Sequence, residues 1–198
     1  TMAEEVKSRI GAAQGRFARL LKTVFRRRGL ADKVKISFFK SVVMSVLLFD
    51  AEAWTRLGRP QLKAIQGFIS RKLRQVMGIK VEERMTTEEV LKKAGIGTVR
   101  SELRMKRLKF VRNVTMDPPA PMLAALHGQP ETLLDKGQRL APAKWVEMVR
   151  EDLLAMRKWA RENEEGDRLG LKGLGDPNEE PEEWKKKMKR KGAWKAQV

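Results

Sequence analysis

Cysteine and tyrosine are absent from this sequence, histidine occurs once, and aromatic residues make up only 6% of the chain. Without cysteine, the chain has no disulfide framework, no cysteine-ligated zinc knuckle and no thiol nucleophile. The one histidine, His127, precedes Gly128 and has no cluster of nucleophilic or metal-ligating residues around it in the sequence. We interpret it as a surface or capping residue. The sequence therefore predicts no catalytic residue, no metal site and no cofactor.

Long apolar runs are also missing. The most apolar stretch, residues 42–49, is far shorter than the roughly 20 residues that a membrane span needs. It predicts a buried helix instead, and no membrane partner. A secretory signal is not recognisable in the chain. Thr1 precedes Met2, and a processed N-terminus would make an organelle a possible location, so the sequence leaves the compartment open.

Acidic residues are scarce in the first half of the chain. Residues 1–112 contain 27 Lys and Arg against 10 Asp and Glu, a net charge of +17, whereas residues 113–198 contain 16 against 15. The formal charge of the whole chain is +18. So many like charges repel one another in the folded protein, and a polyanion such as a nucleic acid is the partner that relieves this repulsion most simply.

Apolar residues recur every three or four positions, which is typical of amphipathic helices. The pattern predicts helices at residues 3–28, 33–55, 61–77, 86–95 and 98–116. The second of these has almost no polar face, so we expect other helices to enclose it. Ser37, Ser41 and Ser45 repeat along it and would let a neighbouring helix approach closely. The predicted fold class is all-α, a helical bundle around a buried central helix.

A group of prolines after Asp117 marks the predicted domain boundary. Residues 1–117 form a basic bundle, and residues 118–198 a looser helical extension. The extension is predicted to contain a short helix at 122–126, a loop at 128–140 and an amphipathic helix from Pro142. An acidic, glycine-rich linker at 161–183 and a basic last helix from Glu182 complete it.

Basic residues on helix faces are the candidate contacts with a polyanion. On the first helix they lie away from the apolar stripe, and almost no acid accompanies them, whereas an ordinary solvated face would mix both signs. The bases of the helix at 98–116 point in several directions, so only some of them are expected to reach a ligand. The candidate nucleic-acid-binding residues are Arg16, Arg19, Lys22, Arg26, Arg27, Arg28, Lys63, Arg71, Arg74, Arg104 and Arg107.

Several motifs resemble a known family. The apolar stretch ends in Glu52-Ala53-Trp54, the third helix ends in a Leu-Arg-x-x-x-Gly-Ile signature at residues 73–79, and residues 136–153 contain a Gly-x-Arg, Pro, Trp pattern that ends in Asp-Leu. Their order is similar to the thumb and the C-terminal region of LINE-type (non-LTR) retrotransposon reverse transcriptases. The chain departs from the family at residues 112–114, where Arg-Asn-Val replaces the usual Gly-His-Val.

The resemblance implies a thumb without its catalytic partner. The family's polymerase palm carries paired aspartates, and no adjacent Asp-Asp occurs in this chain. We therefore expect a protein that is not an enzyme, a module that grips the backbone of RNA or of an RNA/DNA duplex. The alternative is a structural RNA-binding subunit of a ribonucleoprotein assembly such as a ribosome, with the second half contacting protein neighbours. The family would place the chain in the nucleus or the cytoplasm.

Overall fold

The protein is all-α, as predicted. The computed structural model describes residues 1–54, 57–116 and 144–162. Helices make up 79% of the described residues, and no strand occurs among them. The helices pack against one another as a bundle. The chain divides into two compact units, Thr1–Leu103 and Arg104–Val198. None of the described helices is long and apolar enough to cross a membrane.

Helix α1 spans Met2–Leu20 and continues as a π-helical segment, Leu21–Phe25. Helix α2 spans Asp32–Phe38 and passes through a second π-helical segment, Phe39–Met44, into the short α3, Ser45–Leu47. The remaining helices are α4 (Arg59–Met77), α5 (Thr87–Ala94), α6 (Val99–Met116) and α7 (Lys144–Glu162), with a 3₁₀ turn at Val81–Glu83.

Capping residues set the ends of α4 and α5, as their sequence predicts. Helix α4 has a proline in its first turn and ends at Gly78, whose φ of 63° is costly for a residue with a side chain. Helix α5 begins with a capping box, in which the Glu89 amide donates to Thr86 Oγ1 and the Thr86 amide donates to Glu89 Oε2. The hydrogen bonds that the Thr86 amide and the Thr86 hydroxyl donate to the Glu89 carboxylate lower the pKa of Glu89. Helix α5 ends at Gly95, which is also left-handed.

Three phenylalanine rings lie at the centre of the first unit. The rings of Phe17 and Phe25 stack with centroids 4.8 Å apart, and Phe39 meets both edge-on at 6.3 and 6.4 Å. All three are buried, together with Val6 and Ala13 of the predicted apolar stripe on α1. The π-helical segments change the spacing of the side chains around the helix axis, and Phe25 and Phe39 both lie in these segments. Helix α4 contacts both α1 and α2, and the π-helical segment Phe39–Met44 contacts α1.

The prediction of one continuous central helix at 33–55 is wrong at its C-terminal end. The helix stops at Leu47, and a series of turns follows, in which Asp50 has a positive φ of 57°. The turns still bury Ala51 and Trp54. The apolar composition misled the prediction, since these side chains reach the core from turns as well as they would from a helix.

Other helices enclose the central segment on one side only. Phe39, Val43 and Leu47 are fully buried, whereas Phe38 is 42% and Phe49 61% exposed. The guanidinium of Arg9 lies 4.9 Å from the centroid of the Phe49 ring and partly covers it.

The three serines of the central segment do not mediate close helix packing. Ser37, Ser41 and Ser45 are all exposed, and Ser45 Oγ donates to the carbonyl of Ser41 one turn earlier. The prediction that this face admits a neighbouring helix is therefore wrong. Small residues at a spacing of four fit an exposed helix face as readily as a helix contact, because either environment accepts a small polar side chain.

The second unit contains the predicted amphipathic helix of the extension, observed as α7. Val149, Leu153 and Met156 of the predicted apolar face are buried, and Met148, which was not predicted, is buried beside them. The boundary at 117, the helix at 122–126, His127, the loop at 128–140, most of the linker and the last helix lie outside the described residues.

Candidate nucleic-acid interface

Six of the candidate bases follow one another along the end of α1 and the residues after it. Arg16, Arg19, Lys22 and Arg26–Arg28 are all exposed, because the apolar stripe through Val6, Ala13 and Phe17 turns toward the core. No Asp or Glu occurs between Glu5 and Asp32. Within the described ranges, none of the six bases forms an ion pair with a carboxylate. This set therefore presents uncompensated positive charge to solvent.

Helix α4 supplies a second acid-free stretch. No Asp or Glu occurs between Glu52 and Glu82, so α4 carries only positive charges. Lys63 and Arg71 are exposed, as predicted for a contact surface, and Arg71 Nε donates to the carbonyl of Gly67 at 3.2 Å. Helix α4 contacts α1.

Arg74 has contacts inside the protein. Its guanidinium donates through Nη1 to Ser70 Oγ and through Nη2 to the carbonyl of Met85, the latter at 2.6 Å. Met85 immediately precedes the Thr86 cap of α5, so Arg74 attaches the start of α5 to α4. The side chain is half-buried, and we assign it a structural role first.

Arg104 and Arg107 of α6 both contact one buried carboxylate. Arg107 Nε donates to Asp152 Oδ2 at 2.7 Å, and Arg104 Nε donates to Oδ1 at 3.2 Å. Asp152 is 5% exposed and Arg107 only 9%. Because a buried carboxylate needs compensation by nearby positive charge, these arginines hold α6 to α7. Arg107 is too deeply buried to lie on the outer surface that its place in the candidate set requires.

Lys72 is the basic residue that sequence reasoning missed. It lines a groove of about 390 Å³ between α1 and α4, and Arg26 lines the same groove. The first and the second acid-free stretches meet there. The signal in the sequence was weak, since Lys72 lies at the edge of the apolar face of α4 between Arg71 and Leu73, where a lysine is usually read as a solvated flank.

Carboxylates that could hold a metal ion do not converge in the part of the chain that the structure describes, where no group of three or more His, Cys, Asp or Glu side chains has suitable geometry. Several acidic residues of this part cap helices or pair with basic side chains, as Glu89 and Asp152 do. The basic surface offers cationic side chains, which are groups that bind anions.

Comparisons of the chain with protein-family models, with curated proteins and with solved structures found no match. The likeness to a reverse-transcriptase thumb stays a prediction that depends on the motifs quoted above.

Proposed function

We propose that this protein is a non-catalytic module that binds the phosphate backbone of RNA or of an RNA-containing duplex. The observation that supports it most strongly is the run of exposed bases from Arg16 to Arg28. They lie in a stretch without any acid and have no carboxylate partner among the described residues. Lys63 and Arg71 of the acid-free helix α4 are exposed as well, and α4 contacts α1.

Binding would be driven by the release of counterions. Each Lys or Arg that contacts a phosphate displaces condensed cations from the nucleic acid, so affinity falls steeply as salt rises. Such contacts fix the position of the protein on the backbone and read no bases. Because A-form duplexes are recognised chiefly through their shape and backbone, we expect discrimination between duplex types and little dependence on sequence. The choice of RNA comes from the family resemblance alone.

Charge reversal on α1 tests the proposal. The variant changes Arg16, Arg19, Lys22 and Arg26 to Glu, and the control changes Lys33, Lys80, Lys93 and Lys109 to Glu. All eight residues are exposed, and both variants alter the formal charge equally. The measurement is fluorescence-anisotropy titration of a short RNA duplex, an RNA/DNA hybrid and a DNA duplex at one salt concentration.

The first variant should lose binding to every duplex, whereas the control should lose only the part that depends on overall charge. Circular dichroism should show the same helical content in both variants, because the eight side chains lie outside the core. Equal weakening in both variants would mean that net charge alone attracts the nucleic acid, and the proposed surface would be wrong.

A further inference from the structure

The groove between α1 and α4 differs from the surrounding basic surface in being concave. Phe17 lies on its floor, Gln14 and Arg26 line it from the first helical segment, and Lys72 and Gln75 line it from α4. Its volume of about 390 Å³ falls within the range of small-ligand sites, roughly 300–1,000 Å³. All four polar side chains can donate hydrogen bonds, and no carboxylate is among the groove residues.

Lys72 lies over two aromatic rings in this groove. Its Nζ lies 4.8 Å from the centroid of the Phe17 ring and 5.8 Å from that of Phe68, at distances that favour cation–π attraction. The side chain is half-buried and forms no ion pair within the described ranges. Burial, together with the neighbouring charge of Arg71, lowers the pKa of Lys72. The ammonium group is thus partly stripped of water without a compensating anion.

An anion that enters the groove would compensate the desolvated ammonium group of Lys72. Lys72 has already lost part of its hydration, so a contact with it costs less desolvation than one with a fully solvated lysine. Charge-assisted hydrogen bonds of this kind are the strong ones. The anion that the donors fit is a phosphate group, since it offers several acceptor oxygens to Lys72, Arg26 and the two amides.

We infer that this groove holds one phosphate group of the bound nucleic acid, with Lys72 beneath it and Arg26, Gln14 and Gln75 at its sides. The inference rests on the proposed function and makes it more specific. The exposed bases of α1 attract the nucleic-acid backbone without fixing its position, whereas the groove binds one phosphate group at a defined place. A fixed phosphate contact sets the register of a duplex on the protein surface.

Two substitutions of Lys72 distinguish phosphate binding from a contribution to the packing of α1 against α4. Lys72→Met keeps the apolar stem and removes the charge, and Lys72→Arg keeps the charge. Lys109→Met, on exposed α6 surface outside the groove, is the matched control. In the full chain, Lys72→Met should weaken binding of a short RNA duplex about tenfold or more, and Lys109→Met should change it little. Lys72→Arg should recover most of the loss. A melting temperature that falls in Lys72→Met while affinity and salt dependence stay unchanged would overturn the inference.

Lysine acylation read by mass spectrometry provides a second test in the unmodified protein. We expect the RNA duplex to protect Lys72 together with Lys22 and Lys63. Protection of Lys22 and Lys63 without Lys72 would contradict the groove assignment and leave the proposed function standing, whereas protection of none of the three would contradict the proposed function itself. Protection of Lys72 by inorganic phosphate but not by the duplex would also overturn the inference, because the groove would then serve a small anion.

Discussion

At the scale of single residues, burial decides what each arginine does. Arg16 and Arg107 are both basic residues on helices, but Arg16 is exposed whereas Arg107 is buried against Asp152. The sequence could not distinguish them, because Asp152 lies 45 residues further along the chain and only the fold brings the two together. In the same way, Arg74 belongs to a basic helix but hydrogen-bonds to Met85.

Removing the charge of Asp152 should therefore damage the fold. We expect Asp152→Asn to lower the free energy of unfolding by about 3 kcal/mol, because the buried guanidinium of Arg107 loses its compensating charge. Glu162→Gln, which breaks an exposed pair with Lys158, should cost less than about 1 kcal/mol. Urea denaturation followed by circular dichroism measures both. Replacing the pair together, by Arg107→Met with Asp152→Leu, should recover most of the stability, and failure to do so would show that the ion pair is not the source of the loss.

At the scale of helices, the sequence predicted most elements because their signals are local. The ends of α4 and α5 follow from Pro60, Gly78, Thr86 and Gly95, and the apolar spacing on α1 identified its buried face. The two π-helical segments and the early stop at Leu47 were not predicted. No Gly or Pro marks them, and the packing of the three phenylalanine rings and the left-handed Asp50 are visible only in the folded protein.

The capping box of α5 should make stability depend on pH in the acid range. The pKa of Glu89 is lowered by its hydrogen bonds to Thr86, so its contribution is fully present above the ordinary glutamate pKa. That contribution is lost as the pH falls through the lowered pKa of the folded state. Glu89→Gln should thus lower the melting temperature at neutral pH and have no effect once the carboxylate is protonated.

Glu88→Gln is the matched control, since Glu88 lies in the same first turn and takes no part in the capping box. It should shift the melting temperature less at neutral pH, through the helix dipole alone. Because glutamine keeps an acceptor oxygen for the capping box, equal shifts from the two substitutions would show that the charge acts through the helix dipole and not through the hydrogen bonds to Thr86. Melting curves from neutral to acid pH, followed by circular dichroism, provide the comparison.

At the scale of the whole molecule, charge is segregated along the chain. The first 112 residues hold +17 of the total of +18, and the two acid-free stretches lie within them. Helical periodicity predicted that the bases of the first helix lie away from its apolar stripe, and Arg16, Arg19 and Lys22 are exposed in the structure. The groove at Lys72 was not predictable, since it requires α1 and α4 to meet.

The uneven charge suggests a truncation as a test of nucleic-acid binding by the first half of the chain, but the result would be ambiguous. Truncation after residue 119 would keep +16 of the net charge of +18, but it would remove Asp152 from Arg104 and Arg107. A loss of binding in the truncated chain would then have two explanations. Substitutions in the full chain avoid this difficulty.

The salt dependence of binding tests the central claim most directly. The affinity for a short RNA duplex is measured across a series of salt concentrations, for the unmodified chain and for a variant with Arg16, Arg19, Lys22 and Arg26 changed to Gln. We predict a steep loss of affinity with salt in the unmodified chain, and a slope of log affinity against log salt that is smaller by about one for each lost phosphate contact in the variant. A shallow slope in the unmodified chain, or the same slope in both proteins, would contradict backbone binding by this surface.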